Sequence, residues 1–370
     1  MRATKAIIYL DNFRANIEAA RRQAGSHPAL CVPVKADAYG HGAAVMSRAA
    51  LEAGAEYLAL ATVDEGAQLR QAGITAPLFL FSQALPGEMG EIAQLELIPF
   101  VGDKDAAGLL ALSASKTGKR LPVHLKVDTG MGRMGCRPES AARLAAFIAG
   151  QKSLSLDGMA THLAVSDSLK DDDIGYTKNQ LARFGEAVEA VRAAGLDPGL
   201  LHAANSGALC FHRDSYFDIV RPGIFLYGYS PGAGIPGGLE STPVMELRSS
   251  VIFIKKVRKG EDISYGRIWT AGEDCLIGTL PVGYADGLPR LLSGCHQVRI
   301  NGKAYPLVGR ICMDQCMVNL GQDETVKRWD EAIIFGPKAE TAADMAAKIG
   351  SISYEILCNI NRRVPRVYAG

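Results

Sequence analysis

Up to about residue 230 the chain repeats one pattern of apolar and polar positions. Short runs rich in Val, Ile and Leu occur at 29–34, 56–61, 77–81, 97–101, 121–127, 156–163, 200–205 and 217–221. Between them lie Ala-rich stretches with helical spacing, such as AAVMSRAALEAGA, VDEGAQLRQAG and NQLARFGEAVEAVRAAG. Many of these end in Gly, the preferred helix stop. Continuous apolar strands alternating with helices predict a parallel sheet covered on both faces. Eight such units in roughly 200 residues fit a (β/α)8 barrel better than an open sheet. The segment SPGAGIPGG (230–238) breaks the rhythm and reads as a linker. Beyond it VMELRSSVIFIKKVRKG, DCLIGTLPVGYADG, HQVRINGKAYPLVG and CMVNLG predict short strands separated by Gly turns. That is a mostly antiparallel β domain, with one helical stretch at AADMAAKIG. The expected division is therefore a barrel over 1–236 and a β domain over 237–370.

Composition narrows the function. Lys plus Arg number 40 and Asp plus Glu 39, a formal charge of +1, without the basic excess of a nucleic-acid partner. No apolar run reaches the ~18 residues that cross a bilayer. The N-terminal apolar run is interrupted by Asp11 and Arg14 and lacks the pattern of a signal peptide. Eight scattered cysteines without a C-x-x-C pair read as reduced thiols. A soluble cytoplasmic protein that binds neither membrane nor nucleic acid is expected.

In a barrel, chemistry belongs on the loops that follow the strands. In that register stand Lys35 to Gly42, Asp128 to Arg133, Thr161-His162, His202 with Asn205-Ser206-Gly207, and Arg221 to Ile224. Lys35 follows the apolar Val-Pro-Val, where a lysine either snorkels to the rim, acts as a base, or holds a carbonyl as a Schiff base. Ser206-Gly207 and Gly223-Ile224 fall at the two loops where barrels often bind phosphate, although both also suit ordinary helix starts. A Schiff-base lysine and a phosphate cup on one face suggest pyridoxal phosphate, with Arg221 facing its ring nitrogen. Gly130 to Gly135 matches G-x-G-x-x-G, but Pro138 follows closely and no second dinucleotide-binding half accompanies it. No zinc motif or Gly-x-Ser-x-Gly is present. His27, His124, His212 and His296 read as structural or surface residues.

The motifs VPVKADAYGHG (32–42), KVDTGMGRMG (126–135), HAANSG (202–207), RPGIFLYG (221–228), SYGRIWTA (264–271), PVGYADG (281–287), GRICMDQ (309–315) and SYEILCNINRRVPRVY (353–368) span both domains. In them the chain resembles alanine racemases, the pyridoxal-phosphate enzymes that interconvert L- and D-alanine. The resemblance implies a barrel plus a C-terminal β domain, with the first strand (about 5–10) joining the latter. It implies that Lys35 holds the cofactor and serves the D-enantiomer as base, and that Tyr265 is the opposite base for the L-enantiomer. Tyr39, Ser206, Gly223, Ile224 and Tyr354 would bind the phosphate. Arg221 would face the ring nitrogen, and a chain from His162 to Arg221 would tune Tyr265. Arg133 would bind the phenolic oxygen and the substrate carboxylate, which Met313 would also meet. Lys126 matches a lysine that many members carry as a carbamate, though it reads equally as unmodified. Tyr284 and Tyr354 would narrow the entrance, with Asp314 in support. Tyr265, Tyr284 and Met313 would reach a partner's site in a head-to-tail homodimer. Ile268 and Asn361-Arg362 depart from the family pattern, away from the chemistry.

The leading expectation is an alanine racemase that supplies D-alanine for peptidoglycan or for alanine catabolism. A broader-specificity racemase or another fold-related pyridoxal enzyme is the alternative. A non-catalytic pyridoxal-phosphate carrier would resemble the barrel alone.

Overall fold

A computed structural model describes residues 2–232 and 239–370. The eight expected barrel strands are present as β2 (Ala29–Pro33), β3 (Tyr57–Leu60), β4 (Leu78–Leu80), β5 (Leu97–Val101), β6 (Leu121–Lys126), β7 (Leu154–Ala160), β8 (Leu200–His202) and β9 (Ile219–Val220). They pair in parallel in the order β8-β7-β6-β5-β4-β3-β2-β9. The ring closes across β8 and β9, where Asp218 N–H donates to Leu201 O at 2.9 Å and Arg221 N–H to Ala204 O at 2.9 Å. Helices α1 (Leu10–Ala24), α3 (Ala43–Glu52), α4 (Val63–Gln71), α5 (Met89–Gln94), α6 (Lys104–Ser115), α7 (Ala141–Ala149) and α8 (Asp171–Ala193) clothe the outside. Gly73 and Gly195, just past α4 and α8, take φ of 81° and 75°, so a residue without Cβ ends each helix as its position suggests. Inside the barrel Cys31, Ala59, Phe79, Phe100, Ala160 and Ile219 fill one layer.

The expected runs at 156–163 and 200–205 overshoot their strands. Residues 161–163 and 203–205 leave the ladder and become rim loops, where Thr161, His162 and Asn205 bring polar groups to the barrel mouth.

The C-terminal strands are β10 (Met245–Ser250), β11 (Phe253–Val257), β12 (Asp262–Ile263), β13 (Trp269–Thr270), β14 (Cys275–Leu280), β15 (Gln297–Ile300), β16 (Lys303–Val308), β17 (Cys316–Gly321), β18 (Glu331–Phe335) and β19 (Arg366–Ala369). Nine strands form one sheet in the order β11-β14-β17-β16-β15-β18-β10-β1-β19. Here β1 (Lys5–Tyr9) lies antiparallel to β10 and parallel to β19. Asn301 (φ 48°) and Gly302 (φ 81°) turn the β15–β16 hairpin, as two adjacent positive φ values require. Two helices accompany the sheet instead of the expected one: α10 (Ala342–Lys348) and α11 (Ser353–Cys358). With six residues, α11 is too short for a 3.6-residue period to show in sequence. The expected boundary between 236 and 237 lies outside the described residues, as does most of the 230–238 linker. No helix of the described residues is long and apolar enough to cross a membrane.

Candidate active site

The C-terminal mouth of the barrel opens into a cavity of about 900 Å³. Its first wall begins where β2 ends. Lys35 opens α2 (Lys35–Gly40), within which Ala36, Asp37, Ala38 and Tyr39 all take φ between 52° and 54°. Four non-glycine residues wound left-handed cost roughly 4–8 kcal/mol at 1–2 kcal/mol each. The surroundings hold the turn in place. Ala38 N–H donates to Val34 O and Gly42 N–H to Asp37 O. His41 Nδ1 sits 3.0 and 2.9 Å from the Ala38 and Tyr39 carbonyls, and Ala43 N–H donates to Asp37 Oδ1 at 2.8 Å. Ala36 N–H donates to Glu65 Oε1 at 2.6 Å, while the other oxygen of Glu65 caps α4 through Ala61 and Thr62. Burial and the nearby Arg133 guanidinium lower the Lys35 pKa, which favours the neutral, nucleophilic amine.

On the opposite wall, α9 (Ser206–Phe211) follows β8. Ser206 Oγ accepts from Gly223 N–H at 2.7 Å and Phe225 N–H at 3.3 Å, so its own O–H remains to donate. Ile224 opens a 3-10 turn (Ile224–Tyr227), and its N–H has no acceptor earlier in that turn. A Cβ on Gly223 would stand 2.8 Å from the Tyr39 hydroxyl, so only glycine lets these donors gather. The Tyr39 ring packs at 5.8 Å from that of Tyr354, which α11 brings in from the C-terminal domain. Burial raises the pKa of both phenols, which therefore stay protonated donors.

Between these walls the cavity holds an excess of positive charge. Lys35, Lys126, Arg133 and Arg221 line it, against the carboxylates of Asp103 and Asp167. Arg221 is buried; its Nη2 donates to Thr161 O at 2.9 Å and its Nη1 lies 2.9 Å from His202 Nδ1. The imidazole bonded to Arg221 is His202, which β8 places beside β9, while His162 stands on the rim after β7 within the field of the same guanidinium. Burial and Arg221 push the Lys126 pKa down to about 7. Burial and the same cation drive the His162 pKa well below the ordinary imidazole value. Arg133 stands exposed on the loop after β6, where Asp128 Oδ1 accepts from Gly130 and Gly132 N–H, and Tyr176 of α8 donates to Gly130 O. The G-x-G-x-x-G segment thus forms a rim loop with no helix opening at its glycines.

The remaining expected residues lie elsewhere on this chain. Tyr265, Tyr284 and Met313 are 70%, 43% and 53% exposed and do not line the cavity. They share one face of the C-terminal domain. Tyr284 N–H donates to Cys312 O, and Ala285 N–H to Met313 O, stapling two loops together. Ser264 (φ 69°) bonds Arg310 O at 2.7 Å and so fixes the turn that displays Tyr265. Asp286 anchors this face through Arg2 and Arg363, each at 2.6 Å, and Arg363 also binds Asp314 at 2.7 Å.

Known proteins share this arrangement. Residues 8–231 match the family model described as the alanine racemase N-terminal domain, and residues 244–368 match that of the C-terminal domain. The chain belongs to the alanine racemase family. The alanine racemase of Treponema denticola is 46% identical over 374 residues, covering 100% of this chain and 98% of that protein. Among solved structures, the alanine racemase of Clostridium difficile 630 superposes with a TM-score of 0.95 at 35% identity, covering 100% of this chain and 96% of that one. The Bacillus anthracis alanine racemase with bound L-Ala-P gives 0.92 at 32% identity, covering 100% and 96%.

Two residues that shape this racemase-family site, His124 and Gln180, carried no role in the sequence reading. His124 is a buried part of the network behind Arg221, with its Nδ1 2.7 Å from His202 Nε2. Gln180 of α8 ties the two rim loops together, reaching Thr129 Oγ1 at 3.3 Å, the His162 carbonyl at 3.1 Å and Ala164 N–H at 2.9 Å. The one signal for Gln180 is a polar residue on the buried face of a helix, which periodicity alone reads as an error.

Proposed function

We propose that this protein interconverts L- and D-alanine with pyridoxal phosphate held in the barrel mouth. The observation that carries the reading is Lys35 at the end of β2, facing a cavity that Lys126, Arg133 and Arg221 also line and whose charge calls for an anion. The donor set fits the cofactor. The Ser206, Tyr39 and Tyr354 hydroxyls with the Ile224 N–H match a phosphate, joined by the Gly223 N–H once it turns from Ser206 Oγ, and Arg221 matches a ring nitrogen that only accepts.

When bound, pyridoxal phosphate supplies the electron sink that acidifies the Cα–H of an attached amino acid. Arg221 does not release its proton at working pH, so it keeps that sink moderate and favours prompt return of the proton to Cα. Arg133 orients the substrate carboxylate. Lys35 Nζ takes or returns the proton on one face, as its lowered pKa suits. Racemisation needs a second group on the other face, and no exposed tyrosine of the same chain reaches it. Tyr265 of the partner subunit fills that role in a head-to-tail homodimer, with Met313 and Tyr284 completing the carboxylate contact and the entrance. Lys126, with a pKa near 7, is suited to add carbon dioxide and become a carbamate that orients Arg133. We place the enzyme in the cytoplasm, where its eight free thiols stay reduced, supplying D-alanine to peptidoglycan or to alanine catabolism.

The test treats cofactor-loaded protein with borohydride and follows L-alanine in an untreated sample. Covalent label on Lys35 together with D-alanine is expected. Label without D-alanine would overturn the reaction assigned, and no label would overturn the cofactor.

A further inference from the structure

The inside of the barrel carries a hydrogen-bonded chain that the reaction scheme above leaves unused. It starts at Arg221, whose guanidinium has donors and no acceptor. Because Nη1 lies 2.9 Å from His202 Nδ1, that nitrogen must be the unprotonated one, and the ring proton sits on Nε2. His202 Nε2 in turn lies 2.7 Å from His124 Nδ1, so it donates there and the proton of His124 sits on its own Nε2. Each ring is neutral in this scheme, in keeping with their burial beside Arg221, which drives both pKa values down, that of His124 to about 3.

The chain is built for His124. The β6–β7 ladder shifts register between Val123 and His124, so that His124 pairs with Gly158. A Cβ on Gly158 would stand 2.3 Å from His124 Cε1 and 2.4 Å from its Nδ1, so the bulge and the glycine together make room for the ring. Phe79 packs edge-on against His124 at 4.8 Å and stacks on His202 at 5.4 Å, locking both ring planes.

We propose that His124 is a positioning residue: by accepting the hydrogen bond of His202 Nε2–H it holds the His202 ring with its unprotonated Nδ1 toward Arg221, and so aims the guanidinium at the cofactor ring nitrogen. The proposal rests on the cofactor placement argued under the proposed function. With the other tautomer, His202 would turn an N–H toward the Arg221 N–H, and the guanidinium would lose its ring partner.

Nitrogen-15 NMR of histidine-labelled protein reads the tautomers directly, with or without racemase activity. Wild type should show His124 and His202 as neutral Nε2–H rings. His124→Phe keeps the ring bulk and removes the acceptor. It should strip the His202 Nε2–H signal of its hydrogen-bonded shift and lower kcat at least about tenfold, with KM for alanine within about twofold. His124→Asn, whose Oδ1 can stand where Nδ1 stood, should restore both. The wild-type tautomers are read without any variant and keep the test open if His124→Phe fails to fold. An Nδ1–H ring at His202 in wild type, or an unchanged His202 Nε2–H signal and kcat in His124→Phe, would overturn the proposal. So would an Asn variant as impaired as the Phe variant. If wild type racemises nothing, the functional reading fails while the NMR still decides the tautomer chain.

Discussion

Lys35 and Tyr265 can be separated by complementation, because one lines the cavity and the other stands 70% exposed on a different domain face. The perturbations are Lys35→Ala and Tyr265→Phe, each made in a full chain. Removing a general acid or base typically lowers the rate 10²–10⁴-fold, so each homodimer should fall to about 1% of wild type or less. In a mixed dimer with sites shared between chains, one site collects both substitutions and the other collects neither. A 1:1 random mixture contains about half mixed dimers, each with one intact site of two, so roughly a quarter of wild-type activity should return. Two different affinity tags isolate the mixed dimer, which should then reach about half. The assay is conversion of L-alanine to D-alanine with pyridoxal phosphate in excess. Mixed dimers that form, bind cofactor and stay at the level of the parents would refute the shared site, since chains with self-contained sites cannot complement.

Lys126→Met should flatten the pH dependence of stability. Burial and Arg221 lower the lysine pKa to about 7 from the ordinary 10.5, so the unfolded chain binds the extra proton between these values. Stability therefore rises with pH across that window in wild type, and thermal melts should show the slope lost in the variant. Gly40→Ala places a Cβ at φ 82°, 2.4 Å from Leu357 O, where the Lys35 turn meets α11. It should cost about 2–3 kcal/mol and weaken retention of pyridoxal phosphate, read by denaturant titration and cofactor dialysis. Asp286→Asn should destabilise by about 3 kcal/mol, the low end for a broken buried pair because Arg2 and Arg363 are about a third exposed. Burial opposes ionisation of Asp286, but the hydrogen bonds from Arg2 and Arg363 outweigh it and lower its pKa. Its contribution is present above about pH 4 and is lost as pH falls through the lowered value, so acid unfolding should become shallower in the variant.

The barrel was legible because each strand is a continuous apolar run and each helix keeps its period. Lys35, Ser206 and Arg221 were legible for the same reason: polar residues directly after apolar runs must sit at the rim. The short elements were not. EAIIF at β18 has no alternation that tells strand from helix, and α11 has too few residues to show a period. The partner of His124 was not legible, because it lies 78 positions away and no local pattern encodes which nitrogen bears the proton. The four left-handed residues after Lys35 carry no glycine signature, since the surrounding hydrogen bonds impose the conformation.

The strand β1 is made before every barrel strand yet belongs to the sheet of the domain that follows the barrel. About 240 residues separate it from β10, so at 5–20 residues per second it waits roughly 12–48 s for its first partner. Its other neighbour, β19, ends one residue before the last residue of the chain. Through that interval the apolar face of Ile8 and the unpaired edge of β1 are open to wrong partners. The barrel strands, whose successive members pair along the chain, can meanwhile close behind it. With β1 seated between β10 and β19, cleavage of the backbone just before β10 would leave the C-terminal sheet tied to the barrel through β1.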